Sequence, residues 1–162
     1  MTLQIRPAAE ADTAQILAIV APVLAAGETY ATARDLDDAA VLAYWLSPSH
    51  EVFVAEENGV ILGTYYLMAN RQGGGSHVAN AGYMTAPDAQ GRGVARAMCQ
   101  HSLNRAAERG FRAMQFNNVI SSNTRAVALW QSFGFDIVGT LPKAFNHPVH
   151  GYVDAYVMFK TF

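Results

Sequence analysis

The stretch from Thr85 to Met98, TAPDAQGRGVARAM, constrains this chain more than any other. Two glycines and two arginines stand behind a proline, and an unbroken run of helix formers follows. His77 to Thr85 upstream has strand character, so the stretch is a strand-to-helix corner. The next strand, Met114 to Val119, then returns by a right-handed parallel crossover. The first amides of a helix lack intrahelical partners, and the helix dipole adds positive potential there. Gly91 and Gly93 remove side chains that would block an approaching anion, Ala95 keeps the next turn slim, and Arg92 and Arg96 add charge at the rim. Such a corner suits a diphosphate. The triphosphate pattern G-x-x-x-x-G-K-[ST] is absent, and Arg96 stands where a dinucleotide turn would have its third glycine.

The rest of the chain supplies the frame. Leu3 and Ile5 read as a short strand halted by Pro7, and Asp12 as the cap of a helix bearing Ile16, Ile19, Val20, Val23 and Leu24. Pro22 inside that pattern predicts a kink or stop near Ala21. A second helix is expected from Asp35 to before Pro48, and then a hairpin turning at Asn58-Gly59. Gly73-Gly74-Gly75 reads as a loop. After the corner, a helix runs from Gly93 to Arg109, another from Thr124 to Phe133, and late strands fall at Gly139 to Leu141 and Asp154 to Phe159. The pattern is α/β, with an antiparallel meander entering one parallel crossover.

At 162 residues the chain is expected to form one domain over 1–162. A net charge of −2 argues against a general nucleic-acid binder. Cys99, the single cysteine, forms no internal disulfide and reads as core, and no metal-type Cys/His cluster stands out. Without an apolar run of membrane length or a signal-like start, a cytoplasmic protein off the membrane is expected.

Gln90 to Ala95 spells Q-x-x-G-x-A just after T-x-P, which resembles the coenzyme A pyrophosphate loop of the GCN5-related N-acetyltransferase (GNAT) superfamily. Asn123 to Phe135 resembles that family's later motif, N-x-x-A-x-x-L-[aromatic]-x-x-x-G-F, on the following helix. Two motifs in the right order on the right elements are far harder to meet by accident than one. The opening LQIRPAAEAD and the hairpin GVILGTYYL are similar to the family's N-terminal half, so the resemblance covers essentially the whole chain.

The resemblance implies a GNAT fold: a mixed central sheet of about six to seven strands, helices on both faces, and one parallel pair splayed into a V. It implies acetyl-CoA as co-substrate and no metal. Pantetheine would pair with the backbone of Tyr83, Met84 and Thr85, and pyrophosphate would lie on Gln90, Gly91, Arg92, Gly93, Val94, Ala95 and Arg96. Asn123 would bond the pantetheine arm while also capping its helix. A backbone N–H near Met84 or Thr85, freed if the strand bulges as in the family, would serve the oxyanion.

The chain departs from the family's pattern at two catalytic positions. Trp130 stands where many members carry a tyrosine acid; indole is a donor but no acid at neutral pH, so Trp130 is read as shaping the cofactor tunnel. No Asp or Glu lies between Ser76 and Thr85, so the usual base is missing.

Glu28 and Tyr30, in the GETY loop, fall where the family places acceptor-binding residues, and Glu28 is the carboxylate candidate for catalysis. Asn117 and Asn118 alternate on their strand, so one of them should face the cleft, and Asn117 is chosen as the acceptor contact. His147, His150, Tyr152 and Asp154 read mostly as loop polars, with His147 taken to line the acceptor pocket. The C-terminal run is similar to a branch that includes fungal azetidine-2-carboxylate acetyltransferases. The expected activity is acetyl transfer to the amine of a small, amino-acid-like molecule by direct attack on the thioester. Protein or peptide N-acetylation, or a non-catalytic acyl-CoA-binding sensory module, stand as alternatives. A homodimer is compatible with all three.

Overall fold

Turn chemistry in the first half produces a meander. In the computed structural model, which describes residues 2–162, β1 (Gln4–Pro7) pairs antiparallel with β2 (Glu51–Glu57), and β2 with β3 (Val60–Ala69). Asn58 and Gly59 both have positive φ, 55° and 80°, as a tight hairpin turn requires. β3 pairs antiparallel with β4 (Val78–Thr85). A crossover through α3 (Val94–Glu108) leads to β5 (Ala113–Ile120), the single parallel neighbour of β4. The hairpin of β6 (Asp136–His147) and β7 (Gly151–Thr161) completes a seven-stranded sheet ordered β1-β2-β3-β4-β5-β7-β6.

Helices cover both faces. α1 (Thr13–Ala26) and α2 (Asp38–Trp45) lie over the face carrying Thr64 and Tyr66, where the Trp45 indole donates to Thr64 Oγ1 at 3.1 Å. α3 and α4 (Thr124–Ser132) lie over the opposite face, where Tyr65 meets His101 at 2.7 Å and Tyr83 meets Ser102 at 2.6 Å. Gly63 lets α3 come close, since a Cβ there would lie 2.8 Å from Val94 Cγ1 and 2.9 Å from Met98 Cε. Cys99 is fully buried in this layer, and burial pushes its thiol up to about 12, so it is core and not a nucleophile.

Several sequence expectations need correction. α1 runs through Pro22 to Ala26 and closes on Gly27 at φ 65°. The bond that proline forfeits belongs to Ala18, on the exposed face, where water can serve the carbonyl. Asp12 does not cap α1: its carboxylate accepts from Ala9 N–H and from Arg6. α2 starts at Asp38, later than expected, because Asp37 supplies the cap to Ala40 N–H at 2.8 Å. The triple glycine forms one 3-10 turn, Gly73–Gly75. β6 and β7 are much longer than expected, since cross-strand pairing extends them through exposed residues, Ile137, Val138, Leu141 and Tyr152 among them.

Candidate active site

The cleft follows from where two strands stop pairing. β4 and β5 pair only at Val78↔Ala113 and Ala79↔Met114. Beyond that, the Asn80 amide donates to the Gln115 carbonyl at 2.9 Å, a side chain in place of the next ladder bond, and the strands part. The V between them is a cleft of about 1040 Å³.

The β4 edge facing this cleft has free backbone groups without any bulge. Asn70 N–H donates to Val78, Ala86 N–H donates to Leu62, and the β3–β4 register between them never shifts. Even-numbered residues therefore turn N–H and C=O toward β3, while Ala81, Tyr83 and Thr85 turn theirs into the cleft. Of the two amides expected for the oxyanion, that of Met84 is turned to β3, whereas that of Thr85, like that of Tyr83, is exposed without any bulge. The irregularity lies in β5, whose register to β7 shifts between Phe116 and Val119. That extra residue breaks the alternation, so Asn117 and Asn118 both line the cleft instead of one.

At the far end of the β4 edge stands the glycine corner. Gly91 and Gly93 have φ 76° and 81°, and a Cβ on either would meet nothing within 4 Å, so the backbone here is open to a ligand. Gln90, Gly91, Gly93, Val94, Ala95 and Arg96 line the cleft. Arg92 does not; its guanidinium pairs with Glu57 at 2.9 Å. Arg96 stacks over Phe133, 5.3 Å from the ring centroid. Arg125, which sequence reasoning passed over, lines the cleft from the first turn of α4; its signal was its place two residues after Asn123. Asn123 lines the cleft and accepts from Ala126 N–H at 3.4 Å, a long cap bond that leaves its NH2 free. Trp130 forms the wall, its ring 4.9 Å from both Tyr83 and Phe116.

The opposite end is aromatic and uncharged. Tyr30, Tyr44 and Tyr66 line it from the α1–α2 loop, α2 and β3. The Tyr30 hydroxyl donates to the Tyr83 carbonyl at 3.2 Å, so it occupies one acceptor of the free β4 edge. Burial pushes all three hydroxyls up, and they stay protonated at neutral pH. The His50 ring stacks on Tyr66 at 4.0 Å, with Nδ1 donating to the Trp45 carbonyl at 3.0 Å. Thr32 Oγ1, also on the cleft, is buried with no hydrogen-bond partner.

Not every expected residue is gathered here. The Asn117 amide is engaged on both sides, accepting from Gln115 at 2.8 Å and donating to Asn70 at 2.7 Å, whereas Asn118 is free to meet a ligand. Glu28 is exposed and outside the lining. His147 sits at the end of β6, away from the lining, where Nδ1 accepts the amides of Val149 and His150 at 3.1 and 3.2 Å and holds the hairpin tip.

The model of the acetyltransferase (GNAT) family matches residues 21–135. N-acetyltransferase aca1 of Schizosaccharomyces pombe is 33% identical over 98 residues, 60% of this chain and 47% of that protein, so the match spans about half the curated relative's length. A GCN5-related N-acetyltransferase of Kribbella flavida superposes with a TM-score of 0.95 at 46% identity, over 99% of this chain and 98% of that one. An acetyltransferase of Salmonella typhimurium, solved with its cofactor acetyl-CoA, shares the fold with a TM-score of 0.86 at 24% identity, over 99% and 94% of the two chains.

Proposed function

The chain belongs to the acetyltransferase (GNAT) family, and on that premise we propose that it moves the acetyl group of acetyl-CoA to the amine of a small, amino-acid-like molecule. The observation that carries this reading is the continuity of one surface. A free β4 edge at Ala81, Tyr83 and Thr85 leads to the open glycine corner at one end and to an uncharged, tyrosine-lined pocket at the other.

The residues present fit the cofactor. The backbone from Gly91 to Arg96 would hold the pyrophosphate, with Arg96 and Arg125 adding charge at the rim. The free β4 edge and the Asn123 amide would hold the pantetheine arm, and Trp130 and Phe116 would keep water from it. Acetyl-CoA, when bound, supplies an already activated acyl group, so the protein's work is placement more than bond activation. The Thr85 or Tyr83 N–H donates to the developing oxyanion. Tyr30, Asn118 and Thr32 orient the acceptor, with Asn117 holding the β5 irregularity in shape through Asn70 and Gln115.

The test is thiol release from acetyl-CoA over amino acids, imino acids, polyamines and lysine peptides. Turnover with a small amine is expected. Turnover with lysine peptides alone would make the acceptor a protein, and tight acetyl-CoA binding without release from any acceptor would make the chain a binding module.

A further inference from the structure

We infer that the acceptor amine enters the cleft as its free base, so that the acceptor's own basicity, and no residue of the protein, sets the pH dependence of transfer. The inference rests on the acetyl-transfer reading above and deepens it toward an acceptor class, amines of low basicity.

The cleft offers an ammonium nothing to pair with. Among the described residues that line it there is no Asp, Glu, His, Lys or Cys. The titratable groups of the lining are Tyr30 from the loop after α1, Tyr44 from α2, Tyr66 from β3 and Tyr83 from β4, whose hydroxyl is turned away to Ser102 at 2.6 Å; β5 presents asparagine amides and apolar side chains. α3 and α4 contribute only Arg96 and Arg125, which stand at the glycine-corner end and offer an ammonium no counter-charge. Burial holds all four tyrosines neutral, so none of them takes the amine's proton. His50 lies behind Tyr66 with Nδ1 committed to Trp45, and Glu28 is exposed outside the lining.

A cation leaving water for this cleft loses its hydration without gaining a counter-charge. A neutral amine loses far less and finds hydrogen-bond partners. The buried Thr32 hydroxyl, which has none within the protein, is one such partner. The neutral nitrogen also keeps the lone pair that attack requires. The reaction then closes on itself: the C–N bond forms, the C–S bond breaks, and the proton leaving nitrogen ends on the departing sulfur, directly or through water. The departing thiolate, whose conjugate thiol has a pKa of about 8.5, accepts it near neutral pH.

The experiment uses two acceptors of different basicity that the thiol-release screen turns over. Examples are an α-amine such as glycinamide, of the class with a pKa of about 8, and an alkyl amine such as butylamine, of the class with a pKa of about 10.4. The rising limb of kcat/KM is expected to shift with the amine, about two pH units between them. Calorimetry of the same amines on the CoA-saturated protein at pH 7, in buffers of different ionisation enthalpy, is expected to report about one proton released per amine bound. A limb at one pH for both amines, or binding without proton release, overturns the inference. If that common limb disappears in Glu28→Gln, Glu28 is the base. No transfer to any amine in the screen removes the underlying reading instead.

Discussion

At Gly82 an added Cβ would lie 2.5 Å from Tyr66 Cε2 and 3.0 Å from the Tyr30 hydroxyl. The absence of a side chain lets two tyrosines press against β4 at the start of the splay, and with them the acceptor pocket takes its width. Gly82→Ala should therefore cost about 1–3 kcal/mol of stability, because a ring face and not a flexible tip must move. The acceptor KM should rise more than the acetyl-CoA KM; urea unfolding and steady-state kinetics read the two effects. This residue was not legible beforehand, since a glycine inside a strand gives no sign of what crosses over it. Asn117 and Asn118 were legible as a polar pair in a buried strand, but which of them is free depended on Gln115 and Asn70. Asn70 is distant in sequence and reaches Asn117 only through the sheet.

Among the elements, the strand-to-helix corner was read almost whole, because glycine spacing, the preceding proline and the helix formers are all local. Its rim was not: Arg92 turned to Glu57, across the fold on β2, while Arg125 came in from α4. Since the space around Gly93 is empty and its φ is 81°, Gly93→Ala strains only the backbone, by about 1–2 kcal/mol. The added methyl also blocks an anion at the first turn of α3. CoA affinity measured by calorimetry should fall by roughly tenfold, more than the stability loss alone would produce. The long β6–β7 hairpin escaped sequence reading for a different reason. Its strand β6 is exposed along most of its length, so alternation of apolar residues, the usual strand signal, is absent there.

Across the whole molecule, one ion-pair cluster ties the N-terminal strand to the meander. Arg6 reaches Asp12 at 2.7 Å and Glu56 at 2.6 Å, and its hydrogen bonds hold the Asp12 carboxyl below the usual carboxylate range. Because the folded value is depressed, the stabilisation is fully present above the unfolded value of about 3.9 and fades as pH falls toward the folded one. Asp12→Asn should cost about 1–3 kcal/mol at pH 7. The gap between variant and parent in urea unfolding should narrow at pH 3. By itself the sequence determined the mixed α/β layout, the order of its elements and the anion corner, because hydrophobic period, turn residues and helix caps act between near neighbours. Only the tertiary structure decided where β4 and β5 part, which β4 amides stay free, and that three tyrosines and no carboxylate close the acceptor end. Those features arise from pairings between residues far apart in the chain, and strand register, which no short window contains, sets them.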